Sequence, residues 1–152
     1  IITNSSGCLN KNWQIGNLMF IKGYLDYTFS INKGATKIIR LKVDTQKRKQ
    51  IHSIATKIKL LMREGIYTWT LGPSYETPAE IQDIISLGGD VVGMSTVPEM
   101  MKAQELGLDI IGISCLTNYG SGMEEAKLTH ENVLKISDHV NKEFSRLIIE
   151  IV

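Results

Sequence analysis

Apolar positions along this chain follow two alternating rhythms, short continuous runs and stripes of helical period. Gln14–Lys22, Ile38–Val43, Ile66–Leu71, Asp90–Val92 and Asp109–Leu116 read as strands. Ile51, Ile54, Ala55, Ile58, Leu61 and Met62 share one face of a helix over Thr45–Glu64, which Gly65 would stop. Further helices are predicted over Pro78–Leu87, over Val97–Leu106 and from about His130 to Val152. The last would bury Val133, Ile136, Val140, Phe144, Leu147 and Ile151. Such alternation predicts an α/β fold, a mixed β-sheet flanked by helices, with strands at least partly parallel and one domain over residues 1–152.

Two junctions between these elements carry candidate chemistry. Gly72-Pro73-Ser74-Tyr75-Glu76-Thr77-Pro78 ends one apolar run, and Gly93-Met94-Ser95-Thr96-Val97-Pro98-Glu99 ends the next. Thr77 with Glu80, and Thr96 with Glu99, both read as capping boxes with Pro in the first turn. A strand turning into a capped helix gathers N–H groups and hydroxyls at the carboxyl end of a sheet, where open α/β proteins bind polar ligands. Glu76 precedes the cap and has no capping task, so it is a candidate ligand contact. Ser95 stands where a helix dipole favours an anion, but it reads equally as an alternative N-cap beside Thr96. Thr3-Asn4 and Thr117-Asn118 each follow an apolar run and precede a glycine, as two strand ends at one rim would. Turn chemistry alone accounts for one such pair more easily than for two.

Composition narrows the classes. With 152 residues, 43% hydrophobic and 22% charged, the chain can build a sizeable core. A net charge of +1 argues against a dedicated nucleic-acid binder. The basic residues between Lys37 and Lys59 read as a solvated helix face and loop, with no aromatics interleaved to stack bases. Cys8 and Cys115 read as buried thiols. No run has the length of a membrane span and no signal-peptide pattern opens the chain, so the cytoplasm is the expected compartment. No Cys/His spacing fits a metal, and there is no dinucleotide, P-loop or nucleophile-elbow motif. No metal and no organic cofactor are expected.

The two turn phrases, together with Ser114-Cys115-Leu116-Thr117-Asn118, resemble the trimeric, 6-oxopurine-preferring class of purine nucleoside phosphorylases. The resemblance runs from Ile1-Ile2-Thr3-Asn4-Ser5-Ser6-Gly7 to the last helix, as in the C-terminal portion of that fold. It implies a glycosyltransferase that splits purine nucleosides such as inosine and guanosine reversibly with phosphate, itself a co-substrate, and that forms a homotrimer. By resemblance Glu76 and Asn118 hold the base, Asn118 stabilises the departing purine, and His130 meets the ribose 5′-hydroxyl. Met94 packs on the ribose, Tyr75 on the base, Thr117 lies in the substrate site, and Ser5 and Ser95 contact phosphate. From the residues alone His130 is a surface residue of a helix's first turn, and Tyr75 and Tyr67 are core aromatics. The chemistry suits a 6-oxopurine: a carboxylate accepts from N1–H, and an amide can serve the N7/O6 edge.

The family's remaining phosphate contacts, a Ser in a Gly-rich loop, an Arg and a His, fall in a segment that would precede Ile1. Ile1-Ile2-Thr3-Asn4 reads as the tail of a buried strand, and the chain is expected to be part of a longer protein. Gly23-Tyr24 stands where the family often has Asp-His, and Phe29 is the candidate for an aromatic that reaches a neighbouring subunit's site. Two other classes stay open: a purine-binding remnant without catalysis, and an unrelated structural α/β fragment.

Overall fold

The structure is a computed structural model that describes residues 1–29, 37–124 and 130–152, with side chains after residue 130 described from Val140 onward. Its strands are β1 (Ile2–Cys8), β2 (Leu18–Asp26), β3 (Ile38–Arg40), β4 (Met62–Trp69), β5 (Val91–Gly93) and β6 (Gly112–Tyr119). The helices are α1 (Thr45–Lys57), α2 (Pro78–Ser86), α3 (Val97–Glu105) and α4 (His130–Ile151). The sheet is mixed and runs β3-β2-β4-β5-β1-β6. Pairs β1–β6, β2–β4 and β4–β5 are parallel, and β1–β5, β2–β3 and β2–β6 are antiparallel.

One strand closes the sheet on itself. The first residues of β2 pair with β6, Leu18 opposite Cys115 and Phe20 opposite Ile113. Its last residues pair instead with β3, Gly23 opposite Arg40 and Leu25 opposite Ile38. With β4 on its other side, β2 is hydrogen-bonded along both edges, and Leu18, Met19, Phe20, Ile21, Tyr24 and Leu25 are all buried. Helices α1 and α4 cover one face through Ala55, Val140 and Leu147, which pack on Leu18, Ile113 and Cys115. Val97 and Met100 of α3 pack with Met19, Ile21, Tyr67 and Leu116. Ile81 and Ile84 of α2 pack on Leu9 and Val92. The expected mixed sheet with flanking helices is present.

Several predicted boundaries move. The helix expected over Thr45–Glu64 stops at Lys57, because Lys59 takes the left-handed conformation at φ 61. The Leu60 N–H then donates to the Ala55 carbonyl (2.8 Å) and the Lys59 N–H to that of Thr56 (3.0 Å), a Schellman close. Leu61 lies in the connection, Met62 opens β4, and Gly65 sits inside that strand instead of ending a helix. Its position needs glycine for a different reason: a Cβ there would meet Met19 Sδ at 2.6 Å and the Asp90 side chain at 2.8 Å. The strands expected over Gln14–Lys22 and Asp109–Leu116 are shifted, to Leu18–Asp26 and Gly112–Tyr119. Both Thr-Asn pairs lie within strands and not in turns after them. In the parallel β1–β6 ladder Asn4 faces Ser114 while Asn118 faces Gly7, so the two pairs are not equivalent.

The two cysteines are free and buried. Burial pushes the Cys115 thiol up to about 11, and burial also raises that of Cys8. Both behave as small apolar side chains near neutral pH.

Candidate active site

The β4–α2 turn is built as its sequence reads. Thr77 caps α2, accepting from the Glu80 N–H, while the Glu80 carboxylate accepts from the Thr77 N–H at 2.7 Å. With the helix start fixed, Tyr75 and Glu76 are held just before the cap. Gly72, at φ 67, completes the turn, and a Cβ there would run into the Met94 sulfur. Glycine is thus needed twice over, for its backbone and for the room that Met94 fills.

The β5–α3 turn departs from its sequence reading. Thr96 occupies the N-cap position of α3 but makes no capping bond, so the capping box with Glu99 does not form. Thr96 has φ 79 and ψ −44, and the Val97 N–H donates across it to the Ser95 carbonyl at 2.9 Å. This is a positive-φ γ-turn, a strained conformation for a β-branched residue.

A chain of hydroxyls and one amide, buried at Ser6, Ser114 and Thr96, holds that turn. Ser6 and Ser114 share a hydrogen bond of 2.6 Å, and Ser114 donates to Asn4 Oδ1, also at 2.6 Å. Asn4 Nδ2 donates to Thr96 Oγ1 at 2.9 Å, and Thr96 Oγ1 lies 3.0 Å from Ser95 Oγ. The donor order follows from the groups. Asn4 Oδ1 only accepts, so Ser114 must donate to it and accept from Ser6. Asn4 Nδ2 only donates, so Thr96 Oγ1 accepts from it and keeps its own proton to give, and either hydroxyl can donate between Thr96 and Ser95. Beneath the same turn lies Tyr67, fully buried, whose hydroxyl accepts from the Ser95 N–H at 3.4 Å. Burial raises its pKa, so the phenol stays protonated.

Asn118 is aimed by an irregularity in β6. The β1–β6 register passes from Ser6–Leu116 to Gly7–Asn118 and skips Thr117, a bulge of the kind that redirects side chains beside active sites. The Thr117 hydroxyl donates to Asn118 Oδ1 at 2.9 Å, and Asn118 Nδ2 donates to the Tyr119 carbonyl at 2.9 Å. The amide orientation is thereby fixed, with the second Nδ2 proton left for a ligand. The Thr117 hydroxyl also lies 3.3 Å from the Ser6 carbonyl, a longer contact than the one to Asn118.

These pieces meet in one cavity of about 300 Å³. It is lined by Ser5 of β1, Tyr75 and Glu76 of the first turn, Met94 and Ser95 of the second, and Thr117 and Asn118 of β6. The structure thus brings together every predicted site residue except His130. That residue opens α4, and its side chain lies outside the described residues. Ser114 and Thr70 carry no signal of a site role in the sequence, Asn4 reads there as a strand end and Thr96 as a helix cap, and Tyr67 reads as a core aromatic. Among the described residues no cluster of His, Cys, Asp or Glu could hold a metal, and no helix is long and apolar enough to cross a membrane.

The family model described as the Phosphorylase superfamily matches residues 1–152, and the chain belongs to that superfamily. It is 36% identical to purine nucleoside phosphorylase 1 of Geobacillus stearothermophilus, over 100% of this chain and 59% of that protein. Identity to purine nucleoside phosphorylase 1 of Bacillus subtilis is 33%, again over 100% of this chain and 59% of that protein. A solved purine nucleoside phosphorylase of Schistosoma, in complex with hypoxanthine, superposes with a TM-score of 0.85 at 27% identity. That match covers 98% of this chain and 59% of the other. The chain therefore spans about three-fifths of the length of these relatives.

Proposed function

We propose that the full-length protein is a purine nucleoside phosphorylase that converts inosine or guanosine, with phosphate, to the free base and pentose 1-phosphate. One observation carries this reading: Glu76 and Asn118, from separate elements, line a single cavity together with Ser5 and Ser95. The Glu76 carboxylate accepts from the purine N1–H, and the free Asn118 Nδ2 proton serves N7. A phosphate oxygen attacks C1′ of the sugar as the C1′–N9 bond breaks and its electron pair passes into the purine. Donation at N7 stabilises that charge as it develops, and Ser95 orients the phosphate at the start of α3. Among the described residues no cationic side chain lines this cavity. A phosphate dianion needs charge-assisted partners, and the resemblance assigns them to the segment preceding Ile1.

Base preference tests the reading. An ionised Glu76 meets a donor at N1 of hypoxanthine or guanine but a lone pair at N1 of adenine. A carboxylate that the bound base shields from water without giving it a donor costs ~1–3 kcal/mol, so inosine is expected to exceed adenosine in kcat/KM by about ten- to a hundredfold. Spectroscopic phosphorolysis assays on both nucleosides measure this. Equal values would remove the Glu76 and Asn118 assignment, and no phosphorolysis of either would leave a purine-binding protein without catalysis.

The same reading includes a cytoplasmic homotrimer with inorganic phosphate as co-substrate and no other cofactor. Supporting self-association, Phe29 is half exposed and its ring centroid lies 5.3 Å from that of Tyr27. Both border a second cavity together with Tyr75. Light scattering on the full-length protein at micromolar concentration should give a trimer mass, and monomers alone would count against it.

A further inference from the structure

Glu76 has an unassigned partner. The Thr70 hydroxyl donates to Glu76 Oε1 at 2.7 Å, while the Thr70 N–H donates to the Gly93 carbonyl at 3.0 Å. That carbonyl is 3.4 Å from the Thr70 hydroxyl, a much longer contact than the one to Glu76. Thr70 is buried, and it borders the second cavity, of about 480 Å³, and not the one that Asn118 lines. Glu76 borders both cavities. The hydroxyl therefore reaches the carboxylate from the side of the second cavity.

We infer that Thr70 is a positioning residue for base recognition: it occupies Glu76 Oε1, fixes the carboxylate rotamer and leaves Oε2 for the purine N1–H. The inference rests on the proposed function. The backbone of Thr70 is tied to β5, so its hydroxyl is a fixed reference point between two turns that both contribute to the site. A carboxylate held in this way loses little freedom when the base binds, and a hydrogen bond to a charged group is among the stronger kinds. The two 6-oxopurines should feel its loss differently. Guanine offers two donors, N1–H and the 2-amino group, and can itself orient a loose carboxylate. Hypoxanthine offers only N1–H and depends more on preorganisation.

Thr70→Val keeps the β-branched shape and removes only the donor. In the full-length protein it is expected to lower kcat/KM for inosine about tenfold, and for guanosine distinctly less, with KM for phosphate unchanged. Thr70→Ser, which restores the hydroxyl, should stay within about twofold of the parent. In a Glu76→Ala background Thr70→Val should have no further effect on hypoxanthine binding measured by calorimetry, because the two residues act as one unit. A parent inactive on inosine overturns the functional reading and this inference with it. The inference alone falls if the parent is active and Thr70→Val matches it. It falls equally if the loss persists without Glu76, is the same for both nucleosides, or is not rescued by serine.

Discussion

Asn118→Ala is expected to lower kcat for inosine phosphorolysis by about 10²–10³-fold, the usual effect of removing one preorganised donor at a site of developing charge. The expectation follows from how the amide is held. Its oxygen accepts from the Thr117 hydroxyl and one of its protons goes to the Tyr119 carbonyl. Neither group needs to reorganise as charge flows into the purine, so nearly all of the interaction gained is gained in the transition state. The loss should therefore fall on kcat more than on KM. Asn118→Asp separates charge from shape. Ionised, it would oppose a purine anion, and kcat for inosine should fall at least as far. Protonated, it could donate at N7 and accept from a 6-amino group, so the ratio of adenosine to inosine activity should rise. Steady-state kinetics of both variants on both nucleosides decide the matter. An Asn118→Ala enzyme within about threefold of the parent, far below the span expected for such a donor, would exclude Asn118 from the chemistry.

What could be read from the sequence was local. The Thr77–Glu80 capping box, the α4 stripe (buried at Val140 and Leu147, partly buried at Phe144 and Ile151, with the Val133 and Ile136 side chains outside the described residues) and the strand-to-helix turns carrying Glu76 and Ser95 each lie within a few residues of their own signals. The α1–β4 boundary was hidden because an ordinary lysine, Lys59, adopts the left-handed conformation that sequence reasoning reserves for glycine. Closure of the sheet through Leu18–Phe20 on β6 depends on pairing between distant segments. The supporting residues of the site were hidden for the same reason. Asn4 reaches Thr96 across 92 positions and Ser114 reaches Asn4 across 110. No spacing rule connects them, and each residue taken alone is a commonplace strand Ser, Thr or Asn. Thr96 also misled in a specific way. Its Thr-x-x-Glu pattern is that of a capping box, yet the hydroxyl is taken by Asn4 and Ser95, and the backbone turns the other way. A local rule that fails beside a cavity agrees with a site where local preference yields to function.

Gly93→Ala is expected to destabilise the protein by about 3 kcal/mol, near the top of the range for overpacking a rigid core. Gly93 is the last residue of β5 and faces the ring of Tyr67 on the neighbouring strand. An added Cβ would collide with the Tyr67 hydroxyl and lie 2.9 Å from ring atom Cζ. Tyr67 cannot step aside: it is fully buried among Met19, Ile21, Val97 and Leu116, and its hydroxyl supports the Ser95 N–H. Gly93 cannot retreat either, since its carbonyl accepts from the Thr70 N–H. The collision would be relieved by displacing the β5–α3 turn, so stability and the Ser95 position should fail together. Gly107→Ala provides the contrast. Nothing lies within 4 Å of its added Cβ, and its φ of 67 alone should cost about 1 kcal/mol. Tyr67→Phe in the Gly93→Ala background removes the first atom struck and should recover part of the loss, a non-additivity expected only of residues in direct contact. Urea denaturation of the parent, of Gly93→Ala, Gly107→Ala and Tyr67→Phe, and of the Tyr67→Phe/Gly93→Ala double variant measures these differences. A Gly93→Ala midpoint no lower than that of Gly107→Ala would mean that the β5–α3 turn is not pinned on Tyr67.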